Sequence, residues 1–279
     1  MVVALASVIE LSSVDVRSLD RFAPHPTALM RDRQREAEQS GRAFQVDQRW
    51  VPYDRISPLL RRAVLIAEDD AFFSHGGLDW SEIRAAARRN LEAGRVVRGG
   101  STITQQLAKN LYLGEERTLT RKLRETILAL RLERALSKRR IFELYLNEIE
   151  WGDGIYGAEA AARRYFGVAA ADLDPREAVL LAAIIINPRR YSPLDPSPRI
   201  EWRARLIAER LHRRGALDDA QYARAIGGPG PPRLLDWFRH WFGGARRDST
   251  APPDTTTPPD TAAPDWPAPD SAAPDTTKF

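Results

Sequence analysis

The chain has 279 residues, 43% of them hydrophobic, which is enough to bury the core of one large domain or two small ones and excludes a protein disordered throughout. Cysteine is absent, so disulfides and thiolate metal sites are excluded, and His25, His75, His212 and His240 are too scattered for zinc-ligand spacing. The formal charge is +4, but the tail from Asp248 holds six Asp against one Lys, which leaves about +9 on the rest. Between Arg84 and Arg140 there are 15 Lys or Arg and five Glu, a concentration that implies an anionic partner such as a phosphate-bearing lipid, a nucleic acid or a membrane surface.

In chain order, Met1 to Leu11 is apolar but shorter than the ~20 residues a membrane helix needs, and it lacks the basic start of a signal peptide. It is either part of a cytosolic chain or the outer end of a membrane helix that begins upstream. Pro24, Pro26 and the charged run Arg31 to Glu38 read as a linker or a solvated helix, and Phe44, Val46 and Trp50 as one extended segment. Residues 1–43 are thus an N-terminal apolar segment and linker, and 44–226 the main domain. From Ser57 onward, helix starts are marked by Ser57-Pro58, Asp79 with Glu82, Thr102 with Gln105, Thr120, Ser137, and Asp174-Pro175 with Glu177. Gly94, Gly114, Gly167 and Asn187-Pro188 mark ends. Strands and helices do not alternate, so a mostly α fold is expected.

Gly227 to Pro232 closes that domain. Residues 227–247 include Leu234, Phe238, Trp241 and Phe242 at helical spacing, with Arg233, Arg239 and Arg246 nearby. This face suits either the headgroup region of a membrane or packing on the domain as a closing helix. Residues 248–279 are Pro, Thr, Ala and Asp at low complexity, and a disordered tail is expected there.

Three stretches carry chemistry. Leu60, Ala63, Val64 and Ala67 recur at helical spacing up to Glu68, and His75-Gly76-Gly77 then turns the chain into the next helix. A carboxylate between an apolar helix end and a turn is open to desolvation, which raises its pKa and suits it to proton transfer. The plainer reading is a capping or salt-bridged surface Glu. The second stretch, Arg98 to Asn110, sets Gly99-Gly100 before a capped helix whose free N–H groups suit an anion, with Lys109 two turns on and Arg117 beyond Gly114. The third places Lys122 and Glu125 on one helix face.

As an ordered set these residues are recognisable. Glu68-Asp-x-x-Phe-x-x-His-x-Gly-x-Asp79, Gly100-Ser-Thr-Ile-Thr-Gln-Gln-x-x-Lys-Asn110, Arg121-Lys-x-x-Glu125 and Tyr145-Leu-Asn147 resemble the peptidoglycan glycosyltransferases of family 51. Gly154-Ile-Tyr-Gly157, Tyr165-Phe-Gly167 and Tyr191-Ser-Pro193 extend the likeness, which covers roughly Phe44 to Arg214. Trp151-Gly-Asp-Gly154 is most similar to the monofunctional biosynthetic branch, and no Ser-x-x-Lys of a penicillin-binding transpeptidase occurs.

The resemblance implies a lysozyme-like α-helical lobe with a smaller jaw lobe. It also implies polymerisation of lipid II, a disaccharide-peptide on undecaprenyl pyrophosphate, at the outer face of the bacterial cytoplasmic membrane. The implied roles are catalytic base for Glu68 and second motif glutamate for Glu125. Lys109, Arg117 and Lys122 are implied as cations around the pyrophosphate, and Ser101, Gln105 and Asn110 as polar motif positions. Glu125 either orients Lys122 and Arg117 or holds a metal; Asp69 is open between an electrostatic and a structural role. The expected partners are lipid II, the growing glycan strand and the membrane surface, and not nucleic acid. A divalent cation, Mg2+ or Mn2+, and contacts with other cell-wall synthesis proteins are left open. The rivals are a lysozyme-like muramidase and a non-enzymatic basic helical binding protein. Against the latter, Tyr112 is the one aromatic in the basic region.

Overall fold

A computed structural model describes residues 14–22, 25–92, 100–114 and 118–227, among which ten α-helices pack around one three-stranded sheet. The stretch 1–11, Gly94, Arg117, the aromatic run 234–242 and the tail after 247 lie outside these residues. The helices are α1 (Ala28–Gln39), α2 (Pro58–Glu68), α3 (Trp80–Glu92), α4 (Ile103–Ala108) and α5 (Leu119–Ala135). They continue with α6 (Lys138–Glu148), α7 (Ala158–Phe166), α8 (Pro175–Ile184), α9 (Pro198–Arg213) and α10 (Asp219–Ala225). The mostly helical expectation holds.

The core is organised on α8. Every residue from Ala178 to Ile184 is buried, as in a helix apolar on all sides, and α2, α9 and α10 pack around it. Asp174 and Glu177 close a reciprocal capping box ahead of it, with Pro175 in its first turn. A second group joins α4 to α5 and α6 through Ile103, Leu107, Leu128, Ile141 and Phe142. Each such large apolar side chain contributes about 1.5–3 kcal/mol by leaving water.

Local signals place most helix ends. Thr102 with Gln105 forms a capping box, Ser137 caps α6, and Gly167 ends α7 in the left-handed region at φ 72°. The start of α5 is earlier than the sequence suggested: Thr118, not Thr120, accepts the Arg121 N–H as N-cap. Two threonines two residues apart offer equivalent hydroxyls, and only the incoming chain direction selects between them.

The run Arg31 to Glu38 is a helix and not a linker, solvated at Arg31, Gln34, Arg35, Glu36 and Glu38 but not all round. It lies in α1, which buries Leu29, Met30, Arg33 and Ala37 and packs on the turn after α4. Arg33 donates to Glu150 through Nε and Nη2 at 3.0–3.2 Å with both side chains almost buried, and Arg189 joins Glu36 of the same helix. Helix α1 thus extends the packed domain upstream of residue 44. The extended segment shrinks to β1 (Asp47–Gln48), paired parallel with β3 (Ile155–Tyr156), which pairs antiparallel with β2 (Glu150–Gly152). Gly157, at φ 84°, follows β3, and a Cβ there would stand 2.7 Å from the Asn147 carbonyl oxygen. Only glycine passes so close in that conformation.

Glu148, at the end of α6, is buried beside a cleft of about 510 Å3 lined by Phe22, Gln48, Trp50 and Arg140. Burial pushes its carboxyl up to about 7, opposed by the Gln48 amide and Arg140. The folded chain therefore binds a proton that the unfolded chain releases, and stability is lost as pH rises from the ordinary carboxylate range through about 7. Glu148→Gln keeps an acceptor for Gln48. It should raise the melting temperature by several degrees above pH ~7, an upper bound of about 3 kcal/mol, and change little near pH ~5. Melting curves of both proteins across that range check this; parallel curves would refute it.

Candidate active site

Glu68 is the last residue of α2, a position where the helix dipole disfavours an anion. Its side chain is 13% exposed, and each carboxylate oxygen has one partner. Arg203 Nη2, from α9, donates to Oε1 at 2.8 Å and to the Ala67 carbonyl at 3.2 Å. Gln106 Nε2, from α4, donates to Oε2 at 3.1 Å. The Tyr145 hydroxyl, from α6, lies 3.0 Å from Gln106 Oε1. An ionised carboxylate only accepts, so the Gln106 amide must present its NH2 to Glu68 and its oxygen to Tyr145, whose O–H donates. Burial raises the Glu68 pKa; Arg203 and Gln106 oppose this, while Asp69 adds to it. Burial and the same carboxylates hold the Tyr145 hydroxyl well above its usual range, so it remains an O–H donor.

Asp69 turns the other way, because its backbone is extended at φ −162°. Its buried carboxylate accepts the Ile103 N–H at 3.0 Å, at the start of α4, and the His75 ring Nε2 at 2.9 Å. His75 Nδ1 accepts the Gly77 N–H at 3.2 Å, so the ring proton is on Nε2. Asp69 thereby ties the loop after α2 to the helix carrying Gln106, which gives it a structural role. Asp70 pairs with Arg214, just past the end of α9. Phe72 forms the floor of this loop, wholly buried, with its ring 5.6 Å from Phe142 and Lys138 Nζ 4.2 Å above it.

A second cluster is cationic. Lys122 Nζ donates to Ser101 Oγ at 3.0 Å and pairs with Glu125, whose other oxygen accepts from Arg121 at 2.7 Å. Glu125 is buried, so it fixes two cations at the start of α5. Lys109 and Asn110 open a π turn, Lys109–Leu113, that continues α4; such turns often mark functional positions. Asn110 Oδ1 is buried with no hydrogen-bond partner among the described residues. Gln105 folds back on its own helix, with Oε1 accepting the Thr102 N–H at 3.0 Å, so its neighbour Gln106 is the residue that reaches Glu68.

A family model described as transglycosylase matches residues 34–212. The chain belongs to the transglycosylase family. The biosynthetic peptidoglycan transglycosylase of Nitrosomonas eutropha is 50% identical over 189 residues, 67% of this chain and 78% of that protein. That of Alcanivorax borkumensis is 50% identical over 196 residues, 70% and 77% of the two chains. That of Aromatoleum aromaticum is 48% identical over 190 residues, 68% and 82%.

In this transglycosylase the structure brings Ser101, Lys122 and Glu125 into direct contact and places Lys109 and Asn110 beyond Gln106 on the α4 continuation. Sequence reasoning missed Gln106, Arg121 and Arg203. Arg121 was within reach as the i, i+4 partner of Glu125, whereas Arg203 lies 135 residues from Glu68 and had no local signal. Among the described residues no group of three or more His, Asp or Glu could hold a metal. Both Glu125 oxygens serve Arg121 and Lys122.

The keyed amide leads to a test. Tyr145→Phe removes the group that orients Gln106 and should cost about 1 kcal/mol of stability. Turnover should fall about tenfold, as expected when the amide that holds the Glu68 carboxylate loses its set geometry. Melting temperature and initial rate measured on one preparation check this; unaltered turnover would mean that Gln106 is held by other contacts.

Proposed function

We propose that this peptidoglycan glycosyltransferase polymerises lipid II into β-1,4-linked glycan strands with release of undecaprenyl pyrophosphate. The observation that carries the reading is one buried carboxylate, Glu68, held by an amide and a guanidinium, together with a separate cationic cluster built on Lys122. Glu68 takes the proton of the acceptor 4-hydroxyl as that oxygen bonds to the anomeric carbon. The bond from that carbon to the diphosphate oxygen breaks on the opposite face, so the configuration inverts. The electron pair leaves on the diphosphate, where Lys122, Lys109 and Arg117 stabilise it without a strong general acid. Ser101 and Asn110 complete the diphosphate site, and Gln105 supports it through the cap that starts α4.

A muramidase would need a proton donor on its leaving sugar oxygen. Glycan lengthening from lipid II, against shortening of sacculi, separates the two activities. Glu68→Gln keeps the shape and removes the proton acceptor, so polymerisation should fall by about 10² to 10⁴ while lipid II still binds. In the unmodified enzyme, burial places the acidic limb of the rate profile above the ordinary carboxylate range, and the rate should fall as pH drops through it. Near-normal turnover by a folded Glu68→Gln protein would remove Glu68 from the reaction.

In this reading the enzyme belongs to the cell envelope and works at the outer face of the cytoplasmic membrane, beside its lipid-linked substrate. No helix among the described residues is long and apolar enough to cross a membrane. The exposed Trp80, Leu91, Leu119 and Leu123 favour contact with a lipid surface, as does the aromatic-rich sequence of residues 234–242. Purified protein should sediment with anionic vesicles, less so after deletion of residues 234–279 and unchanged after deletion of 248–279 alone. Equal binding by both truncations would leave lipid contact to the exposed residues of α3 and α5.

A further inference from the structure

Three helices and a loop meet around Glu68, at the end of α2. Helix α8, with every residue from Ala178 to Ile184 buried, packs on α2. Helix α4 contributes the neutral Gln106, α6 the neutral Tyr145, and the adjoining loop Asp69 and Asp70, the first bound to His75 and Ile103 and the second to Arg214. The cation that touches Glu68 is Arg203, on α9.

Arg203 is poorly placed for stability alone. Its Nε is buried with no hydrogen-bond partner among the described residues, which carries a desolvation cost. Its Nη2 instead makes two contacts at the end of α2: the Ala67 carbonyl, one of the last carbonyls that a helix leaves without partners, and Glu68 Oε1. A carboxylate oxygen has two acceptor directions, so this bond leaves Oε1 able to accept a further proton.

We propose that Arg203 is the positioning residue of the catalytic base: it keeps Glu68 ionised and fixed for the acceptor hydroxyl, and so sets the pH at which transglycosylation begins. The inference rests on the reading of Glu68 as base. Each turnover moves the acceptor proton onto Glu68 and cancels the charge facing the guanidinium. The bond to the Ala67 carbonyl remains, so Arg203 stays in place while the proton passes to solvent. Just past the end of α9, Arg214 pairs with Asp70, two residues beyond Glu68.

The test compares the full chain with Arg203→Gln and Arg203→Lys, measuring initial rates of lipid II polymerisation from about pH 5 to about pH 9, with a melting curve for each protein. Loss of the cation disfavours the carboxylate anion, so the acidic limb of Arg203→Gln should move up by about one pH unit or more. Its rate should recover only in part at the alkaline end, where Glu68 ionises without the cation but lacks its fixed position. Arg203→Lys keeps the charge without the two-point contact and should fall between. If Arg203→Gln melts below the assay temperature, Arg203→Lys carries the same comparison.

A uniform loss at every pH with an unmoved limb would make Arg203 structural, and unchanged rates would deny it any role. Either result leaves the base assignment intact. That assignment fails separately, if Glu68→Gln keeps turning over and keeps the acidic limb.

Discussion

A carboxylate held out of water at the C-terminal end of a helix is the constraint on which the other features of this site depend. Burial and the helix dipole both oppose the charge on Glu68, so the fold has to supply compensation from elsewhere. It does so from two sides, with a guanidinium on α9 and an amide on α4. Neither can be adjacent in sequence, because the residues next to Glu68 either turn away or carry the same sign of charge. Helices α2, α4 and α9 must therefore pack around one point, and the apolar α8 brings α2 and α9 together.

The same logic fixes the second cluster. Glu125 has to be buried and charged to hold Arg121 and Lys122, and those cations in turn make its burial tolerable. Lys122 then points to Ser101, just before α4. Helix α4 is thus shared: Asp69 accepts its first N–H, Gln106 reaches Glu68, and its π-turn continuation carries Lys109 and Asn110. A six-residue helix with so many obligations needs firm support, which the Thr102–Gln105 box and the contacts with α5 and α6 provide.

Much of the site was legible. Glu68, Lys122 and Glu125 stand out because short-range spacing already implies their surroundings, namely an apolar helix ending in a turn and an i, i+3 pair. Spacing already paired Gln105 with Thr102 in a capping box, whereas nothing local showed that Gln106 beside it faces Glu68. The structure assigns Gln105 to the cap and Gln106 to the carboxylate. Likewise the charged run of α1 reads as solvated, because a buried Arg33 is expected only once Glu150 is known to face it.

The sequence by itself determined where most helices begin and end, since capping hydroxyls, carboxylates and glycines act within a few residues of themselves, and its ordered motifs determined the family. Tertiary structure alone decided the partners of Glu68, Arg203 and the Gln106–Tyr145 pair, and the burial of Arg33 against Glu150. Those contacts depend on how helices distant in the chain cross, and crossing is set by the packing of whole apolar faces, which no local pattern encodes.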